Sequence, residues 1–460
     1  MEQEESLEKQ KKTKKYEIDM THGPLAGKLL LFAIPLMLSS MFQLLFNAAD
    51  IVVVGRFAGS QALAAVGSNT ALINLVTNLF IGLSVGANVV IANYYGAGKK
   101  EEISRTLHTG IYVALVAGIG LMIVGIFMAR IFLTWMITPD DVIDLSTLYL
   151  RIYFLGMPAL LVYNFGSAMM RASGDTRRPL YYLFFAGVLN VILNLILVIV
   201  FHLSVAGVAI ATVTSQYASC GLIIRCLMRE NSDMKLTLSK LRFDKSTALK
   251  IISIGLPAGF QGTVFALSNV VIQSSINTFG SVVVAGSAAA ANIEGFVYMA
   301  MNAFYQTAIT FAGQNFGARD LKRVKKVLGL CLLYVILTGF LFGRTTVIFA
   351  HELLRIYSPQ EDVIRAGIVR MRYICNVYFL CGIMDVLVGI LRGMGRAVMP
   401  MIVSIIGACG LRLLWIATIF RQDRRPEVLY ISYPITWIIT FTVHFICLFY
   451  VYQKEKKKCN

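Results

Sequence analysis

Charge is scarce in this chain. Only 15% of its 460 residues are Asp, Glu, Lys or Arg, against 57% hydrophobic, and the mean hydropathy is +0.70. So long a chain with so few charges cannot cover itself in polar surface, which excludes two or three ordinary soluble domains and indicates an integral membrane protein. Histidine is scarce as well: His22, His108, His202, His351 and His444 are dispersed and form no ligand cluster. The eight cysteines include no Cys-x-x-Cys pair and are scattered in apolar stretches, where they read as small buried hydrophobes. Also missing are a Gly-rich loop ending in Gly-Lys-Ser/Thr, a His-Glu-x-x-His pair and a serine elbow. These absences argue against an enzyme, a cofactor and a resident metal. Any uphill work is left to an ion gradient rather than a nucleotide.

Apolar runs are what the chain has instead. They recur from Leu29 to Val451, each about 20 residues long and able to cross a ~30 Å hydrocarbon core as a helix. Twelve are expected, six in each half. Residues 1–28 form a lysine-rich tail without the apolar core and cleavage site of a signal peptide. Residues 29–228 form a first lobe, 229–250 a charged connector, 251–452 a second lobe and 453–460 a second tail.

Lys and Arg outnumber Asp and Glu by 42 to 25, and most fall in the tails, the connector and the loops after spans two, four, eight and ten. Positive charge marks cytoplasmic loops, so both termini are expected in the cytoplasm of a multi-pass cell-membrane protein. That bias and anionic lipid headgroups account for the net +17 without nucleic acid. One outer loop, Arg421–Arg425, runs against the rule.

The halves are copies of each other. Arg171-Ala-Ser-Gly174-Asp175, with Pro179 beyond it, recurs as Arg392-Gly-Met-Gly395-Arg396 with Pro400, an offset of 221. Gly96-Ala97 and Gly317-Ala318 share that offset, as do Gly59-Ser60 and Gly280-Ser281. Pro35 and Pro257, like Asn47 and Asn269, are 222 apart. Six spans per half is an even number, so the two halves share one orientation, as in parallel-repeat transporters.

Ionisable groups at membrane depth cost about 3 kcal/mol or more at a helix centre and are seldom kept without a use. Three acids qualify: Asp50 in span one, Glu294 in span eight and Asp385 in span ten. Each also has a plain reading. Asp50 would pair with Arg56, Glu294 would face water, and Asp385 would pair with an arginine such as Arg412.

Together these residues resemble the multidrug and toxic compound extrusion (MATE) family. The likeness rests on Asn47-Ala-Ala-Asp50 followed by Gly55, the Gly96-Ala97 turn, Arg171-Ala-Ser-Gly174-Asp175-Thr176, and Gln314-Asn-Phe-Gly317-Ala318. It runs from about Leu29 to Tyr452. It implies an all-α protein of twelve transmembrane helices in two six-helix lobes around a central cavity. The implied activity is multidrug efflux: antiport of cationic or amphipathic organic compounds against H+ or Na+, by a monomer in the bilayer. The resemblance places cation coupling at Asp50, Asn190, Asn194 and Thr212, with Na+ at Asp50 the one metal in view. Asn194 departs from the many members that have a second aspartate there; an amide still offers a carbonyl oxygen to a cation but takes up no proton.

The repeat supports a first-lobe site independently. Asp50 matches Ile272, Asn190 matches Leu411 and Asn194 matches Trp415, so these polar positions are apolar in the second half. Asn190 and Asn194 share one helix face, and helix–helix hydrogen bonding is the plain reading of both. Asn164 matches Asp385 across the halves, and Asn47 lies one turn before Asp50. Two other readings remain: a flippase for lipid or lipid-linked saccharide, which would need an arginine-lined cavity for phosphates, and an integral membrane enzyme.

Overall fold

In hydrocarbon no water serves a peptide group, so each spanning segment must satisfy its own N–H and C=O groups as a helix. The structure, a computed structural model, describes residues 16–459, and among them there is no strand. Most of the lysine-rich tail, residues 1–15, lies outside the described residues.

The first half comprises α1 (Leu25–Val53), α2 (Ser60–Gly96), α3 (Lys100–Trp135), α4 (Ile143–Leu155), α5 (Met157–Ala172), α6 (Arg177–Asn194) and α7 (Ser204–Met228). The second comprises α8 (Lys245–Asn277), α9 (Ser281–Gly317), α10 (Leu321–Ile348), α11 (Ala350–Arg355), α12 (Glu361–Ile374), α13 (Phe379–Gly393), α14 (Val398–Ser404), α15 (Leu411–Ala417), α16 (Ile419–Gln422), α17 (Pro426–Tyr430) and α18 (Ser432–Cys459). Ten spans are single helices or helices joined end to end; two more are bent pairs, α4 with α5 at 46° and α12 with α13 at 45°. The first bend falls where Pro158, lacking an N–H, opens α5. The second falls at a 3₁₀ turn, Cys375–Val377. Together they make twelve spans in two homologous halves.

Three stretches widen into π turns: Val54–Ala58 after α1, Leu195–Val200 after α6 and Ile405–Gly410 between α14 and α15. Such turns leave the regular hydrogen-bond ladder and are often found beside functional groups. The first two directly follow the segments that carry Asp50 and Asn194.

By contact the chain divides into two units, Met1–Asp19 with Leu38–Leu256, and Met20–Met37 with Pro257–Asn460. The division falls inside α1 and α8, close to Pro35 and at Pro257.

In the first unit α2, α3, α5 and α7 bury a core that includes Ile91, Leu107, Phe165 and Ile223. Asn88 of α2 donates to the Ala168 carbonyl of α5 at 2.9 Å, and Asn69 donates to the Ser146 carbonyl of α4 at 3.1 Å. Gly86 and Gly255 let α2 and α8 meet backbone to backbone, for a Cβ on Gly86 would lie 2.2 Å from the Ile251 carbonyl oxygen. The connector is folded against this unit: Met234 and Leu236 join the core, and Thr237 N–H donates to His108 Nε2 at 3.0 Å.

In the second unit, aromatic side chains of α8, α9, the α12–α13 bend and α18 form the core, with Tyr378 stacked on Trp437 at 5.3 Å. Phe32, in the part of α1 that belongs to this unit, meets Phe311 edge-on at 5.4 Å.

Candidate functional site

Asp50 lies in the last turn of α1, where the chain is about to loosen into its π turn. Asn190 and Asn194 occupy one face of α6, a turn apart, and Asn194 is its last residue before the next π turn. Thr212 faces them from the middle of α7. Asn194 Nδ2 donates to Asp50 Oδ1 and, at 3.3 Å, to Asn190 Oδ1. Asn190 Nδ2 in turn donates to Thr212 Oγ1 at 3.4 Å, and the Thr212 hydroxyl donates to the Val208 carbonyl at 3.0 Å. All four residues belong to the first unit.

The donors run outward from Asn194, to the Asp50 carboxylate on one side and through Asn190 and Thr212 to the Val208 carbonyl on the other, and they leave an acceptor over. With both Asn194 contacts made through its amide nitrogen, Asn194 Oδ1 is buried without a partner. A carboxylate, a spare carbonyl oxygen and a hydroxyl are hard oxygen donors suited to H+ or an alkali cation. Val53, Val54, Val198 and Val208, each within four residues of a member of the cluster, pack with Val205 and Tyr149 in one buried group. Tyr149 and Tyr153 of α4 lie within electrostatic reach of Asp50, and Gln216 and Thr77 lie beside Tyr153. These α4 tyrosines escape sequence reasoning, because nothing in an aromatic-rich membrane helix marks one tyrosine as facing a polar cluster.

The remaining sequence candidates are not brought to this cluster by any hydrogen bond. Asn47 is exposed one turn before Asp50. Asn164 donates to the Leu160 carbonyl of its own helix at 2.9 Å. Arg56 is exposed, and the hydrogen-bond partner of Asp50 is an amide instead of that arginine. Glu294 does not face water: it is 5% exposed and held bidentately by Arg370, at 2.9 and 2.8 Å. Arg370 also donates to Ser287 at 2.9 Å and lies 5.7 Å from the Tyr430 ring. A pair 76 residues apart on α9 and α12 leaves no spacing signal in the sequence.

Asp385 is likewise not paired with Arg412, which donates to Thr436 at 3.2 Å and lies 4.0 Å from the Tyr433 ring. It sits in a polar chain of its own within the second unit, beside Tyr298 and within reach of Arg392, with Oδ2 buried and lacking a partner. Asn302 donates to the Tyr298 hydroxyl at 3.5 Å, and Gln306 donates to Asn302 at 3.1 Å. At the positions matching the first-half cluster the second half is apolar as read: Ile272 and Trp415 pack in its core. Its polar groups have moved to α9 and α13. Arg392, the arginine of the second copy of the repeated turn, does not lie at the surface. It is 4% exposed and donates to Tyr305 and, at 2.8 Å, to Gln261.

Twelve apolar spans in two copies, with a hydrogen-bonded acid at membrane depth, are the architecture of a multi-pass membrane protein. Comparison with known proteins narrows the class. The MatE family profile matches residues 35–196 and 257–418, one segment in each half. The chain is 26% identical over 439 residues to the probable multidrug resistance protein YoeA of Bacillus subtilis (strain 168), covering 93% of each. It is 28% identical over 396 residues to the probable multidrug resistance protein YpnP of the same organism, covering 86% of this chain and 88% of that one. Its fold resembles a crystal structure of MATE in complex with MaL6, with a TM-score of 0.89 at 20% identity over 95% of this chain and 98% of the other. The chain belongs to the MatE family of transporters and is not an enzyme.

Proposed function

We propose that this transporter is a multidrug exporter, driving cationic or amphipathic organic compounds out of the cell in exchange for H+ or Na+. Asp50, Asn190, Asn194 and Thr212 form its coupling site, and the observation that carries this reading is the Asn194 bond to Asp50. A charged, unpaired carboxylate is costly at membrane depth, so Asp50 favours a proton or a cation as its complement. Occupancy would draw on the spare Asn194 oxygen and change the bonds that tie α1 to α6. The π turns after Asp50 and Asn194 are the natural places for that change to bend each helix. The names of the curated relatives support the drug-exporting part of the reading.

Residues 29–228 and 251–452 are the two lobes of the transporter, which acts as a monomer in the cell membrane. The tails and the connector face the cytoplasm, in keeping with their positive charge. A lipid flippase is less well supported. Of the buried arginines of the second half, Arg370 is ion-paired to Glu294, and Arg392 and Arg412 donate to Gln261 and Thr436. The test is efflux of an organic cation from reconstituted vesicles under an imposed H+ or Na+ gradient. Asp50→Asn is expected to abolish the response to the gradient, and an unchanged response would overturn the assignment.

A further inference from the structure

The repeated turn Arg171–Pro179 plays no part in the coupling site, yet its first copy receives a piece of chain. Residues Tyr16–Asp19 lie across it. Ile18 N–H donates to the Gly174 carbonyl at 3.3 Å. Gly174 holds φ +105°, and a Cβ there would come within 2.6 Å of the Ile18 carbonyl oxygen. Only glycine allows both that backbone conformation and that approach. Tyr16 places its ring 5.6 Å from the Arg178 guanidinium, and Glu17 accepts from the Tyr95 hydroxyl at 3.3 Å.

The charges around Glu17 do not balance. Asp175 and Glu230, 0% and 2% exposed, are both ion-paired to Arg178. Asp175 also caps α6, accepting from the N–H groups of Arg177 and Arg178 at 3.0 and 3.1 Å. Cys226 of α7 takes a further Arg178 donor at 3.2 Å. Glu17 is therefore the third carboxylate at a guanidinium already engaged by two, and Glu230 Oε2 is buried without a partner. Asp233, beyond α7, adds another acid close to Tyr95. Three carboxylates against one guanidinium favour holding a proton among them.

We propose that Glu17 is a proton-operated latch. With its carboxyl neutral, Tyr16–Asp19 stay docked on the Gly174 turn; loss of the proton sets Glu17 against Glu230 and Asp175 and releases the segment. The residues that follow keep a separate anchor, since the Met20 carbonyl accepts from Asn315 at 3.2 Å and from Arg323 at 3.1 Å. Release is thus local to the first unit. Burial, and after it Glu230, push the docked Glu17 carboxyl up to about 7 from its ordinary 4.5, while the Tyr95 hydroxyl and Arg178 act the other way. A group raised on docking favours the docked state fully below its undocked value and loses that contribution as pH rises through the docked value. The latch is closed in acid and opens through neutrality.

Hydrogen exchange of the 16–19 segment in the full-length protein in lipid nanodiscs tests this. After correction for the intrinsic exchange rate, protection of the Ile18 amide is expected to fall about tenfold between pH 6 and 8.5. Glu17→Gln is expected to abolish that pH dependence while keeping the amide protected. Tyr95→Phe removes a donor to the carboxylate and should move the midpoint upward. Protection that is independent of pH in the wild-type protein, a pH dependence unchanged in Glu17→Gln, or a midpoint moved downward by Tyr95→Phe would each overturn the proposal.

Discussion

At Asp50 the hydrogen-bond partner of the carboxylate is an amide, and that choice sets what the residue is able to do. A bound arginine would neutralise Asp50 permanently; Asn194 donates one hydrogen bond and leaves the charge to be met by something that comes and goes. Its own carbonyl oxygen, buried and unpartnered, supplies a second ligand. Asn194→Leu is therefore expected to alter coupling without removing the acid. Losing a hydrogen bond to a charged group should shift the driving-cation concentration for half-maximal efflux about tenfold, upward for Na+, which loses an oxygen ligand, and downward for H+, which meets a less stabilised carboxylate, as measured in vesicles. An unchanged requirement would make Asn194 simple helix–helix glue.

The acids, the asparagines and the contrast with Ile272, Leu411 and Trp415 were legible in the sequence, because a polar residue in an apolar run stands out and the repeat supplies its control. Their partners were not. Asn194 lies 144 residues from Asp50, and Arg370 lies 76 from Glu294. Pairing over such distances is decided by helix packing, and no local spacing records it. For the same reason Asp385 was identified without its companions: Tyr298, Asn302 and Gln306 lie along one face of α9 but read as ordinary members of a membrane helix.

At the scale of the element, the second unit is held by a buried ion pair. Arg370 and Glu294 meet bidentately between α12 and α9. Breaking such a pair from one side strands a charge, at a cost of about 3–5 kcal/mol, whereas replacing both partners by apolar residues is often neutral. Glu294→Gln is expected to lower thermal stability in detergent strongly, and Glu294→Leu with Arg370→Met to recover most of the loss. Equal destabilisation by the single and double variants would contradict a purely structural role.

The α2–α8 contact makes a second demand on elements. Gly86→Ala would set a methyl group against the Ile251 carbonyl oxygen, so α2 and α8 would have to separate. An overpacking cost of about 1–3 kcal/mol is expected in the same melting assay. The twelve spans were read from hydropathy, but several helices run longer than the expected length of about 20 residues, α2 and α9 reaching 37. The π turns were not read from it, since an extra residue in a turn has no composition of its own.

At the scale of the molecule, two copies of one six-span unit have kept their fold and divided their chemistry. Strong matches at the turns preserve the architecture, as in Gly59 and Gly280, which both hold φ +88°. The spans between those turns have diverged: an acid and two amides in one copy, aromatic and aliphatic packing at the same positions in the other. On the proposed reading, the driving ion couples through the first half. The account thus predicts that removing one side chain of the first half uncouples the whole protein from its gradient.

The most direct measurement is efflux of a fluorescent organic cation from vesicles containing the wild-type protein or Asp50→Asn, with the H+ and Na+ gradients imposed separately. Acceleration of the wild-type protein by one of the two gradients, and by neither in Asp50→Asn that still binds the compound, is the predicted result. Acceleration of Asp50→Asn equal to that of the wild-type protein would contradict it.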